Sequence, residues 1–359
     1  MGTMRARFTA MGQVDNTMHP NLGGEAIGSE LRVPPGDLVV LTPVYNDWSA
    51  VRLLLPLLDA ELARNGLRAR VVLIDDASFE PMPEALVERD LDAISEIRVL
   101  TLRRNLGHQR ALAVGLSYVQ ERIPCAAVVV MDADGEDDPA DVPRLVAELA
   151  ARGGRSIVFA QRIRRSEGFA FTFLYRLYRL AHRVLTGIPV QVGNFSVVPC
   201  ALLDRLVVVS DLWNHYAAAV FHSRLPFTMV PTPRGRRLAG RSSMNLVSLV
   251  GHGLSAIAVF ADRVGVRVLI ASIVALCATV LVVGVALGRW LLTGDAPPVW
   301  LPVVAGVAVL VVLQAAAAAS LFVLHVLFNR AASTFIPARD YRFFIHSDEL
   351  VAGHAGASV

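Results

Sequence analysis

The sequence predicts an α/β domain with a mostly parallel sheet covered on both faces, followed by two membrane-spanning helices. Between Leu38 and Arg162, short runs of Val, Ile and Leu alternate with helix-like stretches. That alternation is the pattern of strands buried on both faces and joined by crossover helices. Polar clusters stand directly after four of these runs: Tyr45-Asn46-Asp47, Asp75-Asp76, Asp132-Ala133-Asp134 and Arg162. In open α/β sheets, ligands sit beyond the carboxyl ends of the strands, so the four clusters converge on one polar crevice. Towards the C-terminus, Val264–Leu292 and Pro298–Phe328 are almost uninterrupted aliphatic runs. Each exceeds the roughly 20 residues that cross a bilayer as a helix.

Ordered structure is expected to begin at Asp37, because residues 1–36 lack periodicity and read as a disordered leader without the apolar core of a signal peptide. Leu38 to Pro43 is a buried strand, and a helix follows from about Ser49 with Val51, Leu54, Leu55 and Leu58 on one face. Val71–Ile74 and Ile97–Leu102 are the second and third strands, and a helix opens at Asn105 and Gly107. A fourth strand runs into Asp132, and the next helix closes on Gly153 and Gly154 before a fifth strand ending at Arg162. Phe169–Gly187 and Met244–Arg263 read as amphipathic helices, the second feeding directly into the first span. Core packing would also suit them, but their place beside a membrane hairpin favours the bilayer interface.

Composition narrows the chemistry. The chain is 54% hydrophobic and 18% charged with mean hydropathy +0.50, too apolar for an ordinary soluble domain. All 34 basic residues are arginines, so phosphate recognition must use guanidinium forks or backbone amides. Arg234, Arg236, Arg237, Arg241, Arg263 and Arg267 precede the first span, and Arg330, Arg339 and Arg342 follow the second, while the link between them has only Arg289 at its edge. This asymmetry places the large N-terminal portion in the cytoplasm. Cys125, Cys200 and Cys277 form no ligand pattern and are expected to be reduced. Neither GxGxxG nor GxxxxGK[ST] is present, which removes the usual dinucleotide turn and the P-loop.

The sharpest local signal is VVVMDADGEDDP, Val128 to Pro139. In an extended backbone Asp132, Asp134 and Glu136 point to one side. Carboxylates so close favour a cation among them, and hard oxygen ligands favour Mg²⁺ or Mn²⁺ with positions left for substrate phosphates. The alternative is an acidic loop that caps the next helix from Asp138-Pro139.

Four segments in order, PVYND (43–47), IDDAS (74–78), RRNLGHQRALAVG (103–115) and MDADGEDDP (131–139), resemble the family 2 glycosyltransferases. Within that family the chain resembles the branch of dolichol-phosphate mannose synthases and bacterial polyprenyl-phosphate glycosyltransferases. The resemblance implies a GT-A fold (nucleotide-diphospho-sugar transferase, Rossmann-like), followed by interfacial helices and a two-helix transmembrane hairpin. The expected layout is a catalytic domain over 37–240, a juxtamembrane helix over 241–263, spans over 264–292 and 298–328, and a cytoplasmic tail over 329–359.

By the same resemblance, Pro43, Tyr45 and Asp47 line the nucleoside pocket, and Asp75 or Asp76 reaches base or ribose, with Asp132 also on the donor. Asp132, Asp134 and Glu136 share the metal. Arg162, Arg176 and Arg241 join Asp134 as catalytic residues, Arg176 near the acceptor, while Arg241 to Met244 takes the place of a stretch that often reads Arg/Gly, Ser, Lys, Tyr and lacks its lysine. The family's usual Leu-Gln is replaced by Gly135-Glu136, and its usual GDF by Gly193-Asn194-Phe195, so Asn194 cannot serve as a general base. The implied activity is inverting transfer of one sugar from a nucleotide-diphosphate sugar to a polyprenyl phosphate at the cytoplasmic membrane face. Competing expectations are transfer to a sugar hydroxyl in cell-envelope synthesis, and a membrane-anchored nucleotide-sugar binding protein without turnover. Nucleic acid is not an expected partner, the lipid bilayer is, and self-association stays open.

Overall fold

The computed structural model describes residues 37–87, 90–162, 183–184, 186, 192–233, 235–239, 246–294, 299–331 and 335–353. The leader, Arg176, Arg241 and most of the predicted helix Phe169–Gly187 lie outside the described residues.

Five strands form where the apolar runs predict them: β1 (Leu38–Val44), β2 (Ala69–Asp75), β3 (Ile94–Leu102), β4 (Ala127–Val130) and β5 (Ile157–Arg162). Three more were not anticipated: β6 (Ser196–Pro199), β7 (Phe227–Thr232) and β8 (Ile345–Gly353). The eight make one sheet in the order β7-β5-β6-β4-β1-β2-β3-β8. β4, β1, β2 and β3 run parallel, as do β5 and β7, while β6 runs antiparallel between β4 and β5. Because Val130 faces Ser196, the start of β6 lies beside the carboxyl end of β4. The reversed strand therefore delivers Asn194 to the same edge as the acidic cluster.

Helices α1 (Trp48–Arg64) and α3 (Val142–Ala151) cover one face. Leu54, Leu58, Leu145 and Leu149 there pack with Val40, Val71 and Val129 of the sheet. On the other face α2 (His108–Arg122), α4 (Cys200–Leu206) and α5 (Tyr216–His222) bury Leu112, Leu116, Leu203 and Tyr216 against Val39, Leu41, Val128 and Phe159. Alternate residues of each strand thus enter opposite cores, as period-two side-chain geometry requires. Cys125 and Cys200 are joined in a disulfide with Cα atoms 6.2 Å apart, which corrects the expectation of reduced thiols; Cys277 is free. The two halves flank the antiparallel β4–β6 pair, a juxtaposition that 75 residues of separation hid in the sequence.

Helix α6 (Leu246–Ala258) does not run straight into the long apolar helix that follows it. The chain breaks at Val259-Phe260 before α7 (Ala261–Thr293), and α8 (Trp300–Ala331) returns alongside it. Phe260 is buried with Val259, Ala256 and Ala218, and its ring meets that of His222 at 5.5 Å. Burial of this aromatic elbow against α5 competes with continuing the helix. Among the described residues, Ala261–Thr293 and Leu301–His325 are long and apolar enough to cross a membrane, with mean hydropathies of 2.9 and 2.5.

The tail is not a free extension. After α9 (Pro337–Asp340) and a 3-10 turn at Tyr341–Phe344, β8 pairs antiparallel with β3 and becomes the edge of the sheet. Tyr341 is buried and donates to Glu121 at 2.6 Å, Arg342 pairs with the same carboxylate, and Asp348 accepts from Tyr118 at 2.6 Å and from Arg98 at 2.7 Å. Phe335 and Phe344 stack on Trp213 with ring centroids 4.1 and 5.0 Å away.

Candidate active site

The carboxyl ends of β1, β2, β4 and β5 and the start of β6 meet at one edge of the sheet. After β1, Pro43 is still buried inside the strand, and Tyr45 emerges half-exposed, edge-to-face with Phe79 at 6.3 Å. Asn46 holds a left-handed backbone, and its side-chain oxygen accepts the amides of Phe79 and Glu80, stitching the β1 and β2 loops together. Asp75 accepts the Ser78 amide at 2.9 Å. Asp76 turns inward and accepts Leu106 and Gly107 amides at 2.7 and 2.8 Å. It thereby anchors the entry to α2.

Strand β4 stops at Val130, and the chain turns through Gly135 at φ +81°, so the acidic residues do not line one side of an extended strand. Instead, each is met by a different partner. Asp132 Oδ1 lies 3.2 Å from His108 Nε2, Asp134 is paired with Arg237 at 2.6 Å, and Asp137 with Arg162 at 2.8 Å. Glu136 stands 3.7 Å from Arg162 and 4.0 Å from Arg237, and Asp47 3.8 Å from Arg237. Arg237 reaches the cluster because its segment lies directly on the turn: the Gly235 amide donates to Glu136 O and the Leu238 amide to Asp134 O, at 2.9 and 2.8 Å. A Cβ on Gly135 would stand 2.4 Å from Leu238, and one on Gly235 2.4 Å from Gly135 O. The unusual Gly135 is thus required by both its backbone and its neighbour.

Crowding shows in the electrostatics. Burial, with repulsion from Asp132 and Glu136, holds the Asp134 carboxyl above the ordinary carboxylate range, against the Glu136 amide and Arg237. Asp137, fully enclosed, is pushed up to about 7 by burial first and the Asp132 charge second, with Arg162 opposing. For Arg162 burial favours the neutral form, but Asp137 outweighs it and the net shift is upward. The His108 ring is shifted upward too: desolvation opposes, and Asp132, Asp137 and Asp76 prevail.

Residues 39–208 match the sequence model of the family described as Glycosyl transferase family 2. The chain carries a family 2 glycosyltransferase domain. Relatives include an uncharacterized glycosyltransferase of Bacillus subtilis, 24% identical over 62% of this chain and 68% of its own length. Two undecaprenyl-phosphate 4-deoxy-4-formamido-L-arabinose transferases are also similar. That of Erwinia tasmaniensis is 28% identical over 59% of this chain and 64% of its own, and that of Klebsiella pneumoniae 32% over 61% and 66%. The matches therefore span about two thirds of these relatives. Among solved structures, glucosyl-3-phosphoglycerate synthase from Mycobacterium tuberculosis, in complex with Mn²⁺, UDP-glucose and phosphoglyceric acid, aligns with TM-score 0.47 at 19% identity. The alignment covers 68% of this chain and 86% of that one.

The glycosyltransferase domain has the mixed α/β sheet expected of the GT-A class. Its acidic turn offers hard oxygen donors whose mutual repulsion calls for positive charge, so the donor set fits a divalent cation in kind. Among the described residues, however, no three His, Cys, Asp or Glu side chains already converge as ligands. The charge beside Asp134 is supplied by Arg237, and that beside Glu136 by Arg162 and Arg237. Sequence reasoning placed Arg162 at the crevice but counted Arg237 only as a topogenic charge and passed over His108 and Asp137. An arginine-rich loop has no periodicity to separate a site residue from a surface one, whereas His108 and Asp137 lie inside motifs already singled out.

Proposed function

We propose that the chain is an inverting transferase that moves one sugar from a nucleotide-diphosphate sugar to a polyprenyl phosphate at the cytoplasmic face of a cell membrane. The observation that carries this is one crevice of four carboxylates and two guanidiniums, in a family 2 domain that continues into two bilayer-length helices. The lipid-phosphate acceptor follows the named activity of two relatives.

In this reading Tyr45, with Asp47 and Asp75 nearby, receives the nucleoside, and Asp132, Asp134 and Glu136 hold Mg²⁺ or Mn²⁺. The ion's contribution is to neutralise charge on the departing nucleoside diphosphate. Arg162 holds Asp137 in place and keeps positive charge at the crevice floor. Arg237 is released from Asp134 as donor and metal enter, and becomes available to the diphosphate. Arg176 and Arg241 orient the acceptor phosphate. Asn194 offers no base, and none is needed when the nucleophile is a phosphate oxygen, since a phosphomonoester loses its second proton near pH ~6. That argument favours a phosphate acceptor over a sugar hydroxyl.

The test is transfer of radiolabelled sugar from a panel of UDP- and GDP-sugars to undecaprenyl phosphate by detergent-purified full-length protein. The expected product is organic-extractable, labile to mild acid, and lost on chelation with EDTA. Turnover only onto oligosaccharide hydroxyls, or nucleotide binding with no turnover, would overturn the reading.

A further inference from the structure

We propose that residues 211–222 form a saddle on which both ends of the α7–α8 hairpin are seated, and that Phe260 and Phe335, the rings so seated, are positioning residues for the transfer reaction. The inference rests on the glycosyl-transfer reading above and adds to it how the acceptor phosphate is brought to the crevice. The saddle is a short segment closed upon itself. The Ser210–Trp213 turn leads towards α5, and the Asn214 and His215 amides donate to Asp211 O at 2.9 and 3.1 Å. His222 Nδ1, at the far end of α5, meets Asp211 Oδ2 at 2.7 Å. The two ends are thereby pinned together.

Each end of the hairpin reaches this segment through an aromatic ring. Where α6 gives way to α7, Phe260 is 1% exposed, packs with Ala218 and holds its ring 5.5 Å from that of His222. Arg263, in the first turn of α7, places its guanidinium 5.6 Å from the centre of the same ring. Just beyond α8, Phe335 lies against Trp213 with ring centroids 4.1 Å apart. Arg110 of α2 sits over the Trp213 ring at 5.4 Å.

The saddle is tied in turn to the catalytic edge. Tyr216 is fully buried; its amide donates to Gln109 Oε1 at 2.7 Å, and its hydroxyl shares a 2.7 Å hydrogen bond with Ser196 Oγ. Gln109 follows His108 at the start of α2, and Ser196 opens β6 beside the carboxyl end of β4. A shift of the hairpin relative to the crevice must therefore unseat a ring or break a buried hydrogen bond. In the lipid-acceptor reading the bilayer sets the height of the acceptor phosphate, and the saddle sets the height of the crevice above it. Misplacing reacting groups by about 1 Å can cost on the order of a hundredfold in rate. An acceptor confined to the bilayer then depends on the saddle, whereas one that arrives from water does not.

The experiment uses full-length protein in nanodiscs of phosphatidylethanolamine and phosphatidylglycerol, with the best donor of the UDP/GDP-sugar panel. Two acceptors are compared: undecaprenyl phosphate, confined to the bilayer, and geranyl phosphate, which also reaches the crevice from water. Phe260→Ala and Phe335→Ala are each expected to lower kcat/KM for undecaprenyl phosphate about tenfold, and the double variant on the order of a hundredfold. Transfer to geranyl phosphate and KM for the donor are expected to change less than about threefold, as a loss confined to acceptor placement requires. Phe260→Leu refills the seat with apolar bulk and is expected to restore most of the loss. Phe343→Ala removes a 74% exposed ring beside the seated Phe344 and is expected to match wild type with both acceptors.

Wild-type transfer to undecaprenyl phosphate in the double variant, an equal loss with both acceptors, no recovery in Phe260→Leu, or a matching loss in Phe343→Ala would each overturn the assignment while leaving the transferase reading intact. A wild-type protein that transfers to neither acceptor from any donor overturns the reading itself and the assignment with it.

Discussion

Asp134 sits between two like charges and one guanidinium, so Asp134→Asn removes both a ligand and a source of repulsion. Transfer is expected to fall about a hundredfold or more, since charge stabilisation at a departing group is among the largest catalytic terms. Melting temperature is expected to stay level or rise, because desolvation and crowding are relieved. Unchanged turnover would remove Asp134 from the site. Gly135→Ala acts differently. The new methyl meets Leu238 and the backbone is forced to positive φ, so the 235–239 segment must lift and Arg237 must leave Asp134. Trypsin cleavage at Arg236 and Arg237 is expected to quicken, and transfer to fall, while α-helical circular dichroism is unchanged. The need for Gly135 was not legible in the sequence, because the segment it faces lies a hundred residues on. Asp132, Asp134, Glu136 and Arg162 were legible, because strand ends in an α/β sheet announce their own position. Arg237 was not, since nothing local separates it from Arg236.

At the scale of elements, the strands seen in advance are those with continuous Val/Ile/Leu runs. β6 is four residues long, β7 contains Pro231, and β8 carries His346, Ser347, Asp348 and Glu349 on an edge. None of these announces burial, and β8 finds its partner 250 residues away. Its clamp should be acid-sensitive. Tyr341, then Arg342, hold the Glu121 carboxyl below the ordinary range, and Arg339 does the same for Asp340. Groups with depressed folded pKa values stabilise above their unfolded pKa and lose that contribution as pH falls through the folded one. Lowering pH from 7 to 3 is therefore expected to raise hydrogen exchange in β8 before β2. Simultaneous release of both would show that the clamp does not govern the edge. Asp59 makes a second, buried link, accepting three amides, from Asp92, Ala93 and Ile94, at the start of β3. Asp59→Ala strands those donors and is expected to cost roughly 3 kcal/mol in denaturant unfolding of the domain. A loss under about 0.5 kcal/mol, the range of neutral surface changes, would mean that water replaces the carboxylate.

Taken as a whole molecule, the chain leaves the domain through α6, runs out along α7 and back along α8, and comes back to the sheet where it started. The two long apolar helices were legible from length and hydropathy alone, to within three residues at each described end. The elbow at Phe260 was not, because Met244–Arg263 reads as continuous helix and only the packing of α5 reveals the break. If both flanks lie in the cytoplasm, a cysteine placed at Gly294 in a Cys277→Ala background is labelled by an impermeant maleimide from outside, and one at Asp211 is not. The opposite pattern would invert the topology and remove access to cytoplasmic sugar donors.

The return of residues 345–353 to the edge of β3 has a consequence for biosynthesis. A ribosome makes the last strand only after both long apolar helices, so the N-terminal strands must wait with an open border until residues 345–353 emerge. Until then β3 keeps a raw strand edge, the feature that invites aggregation, and only the last residues of the chain cover it.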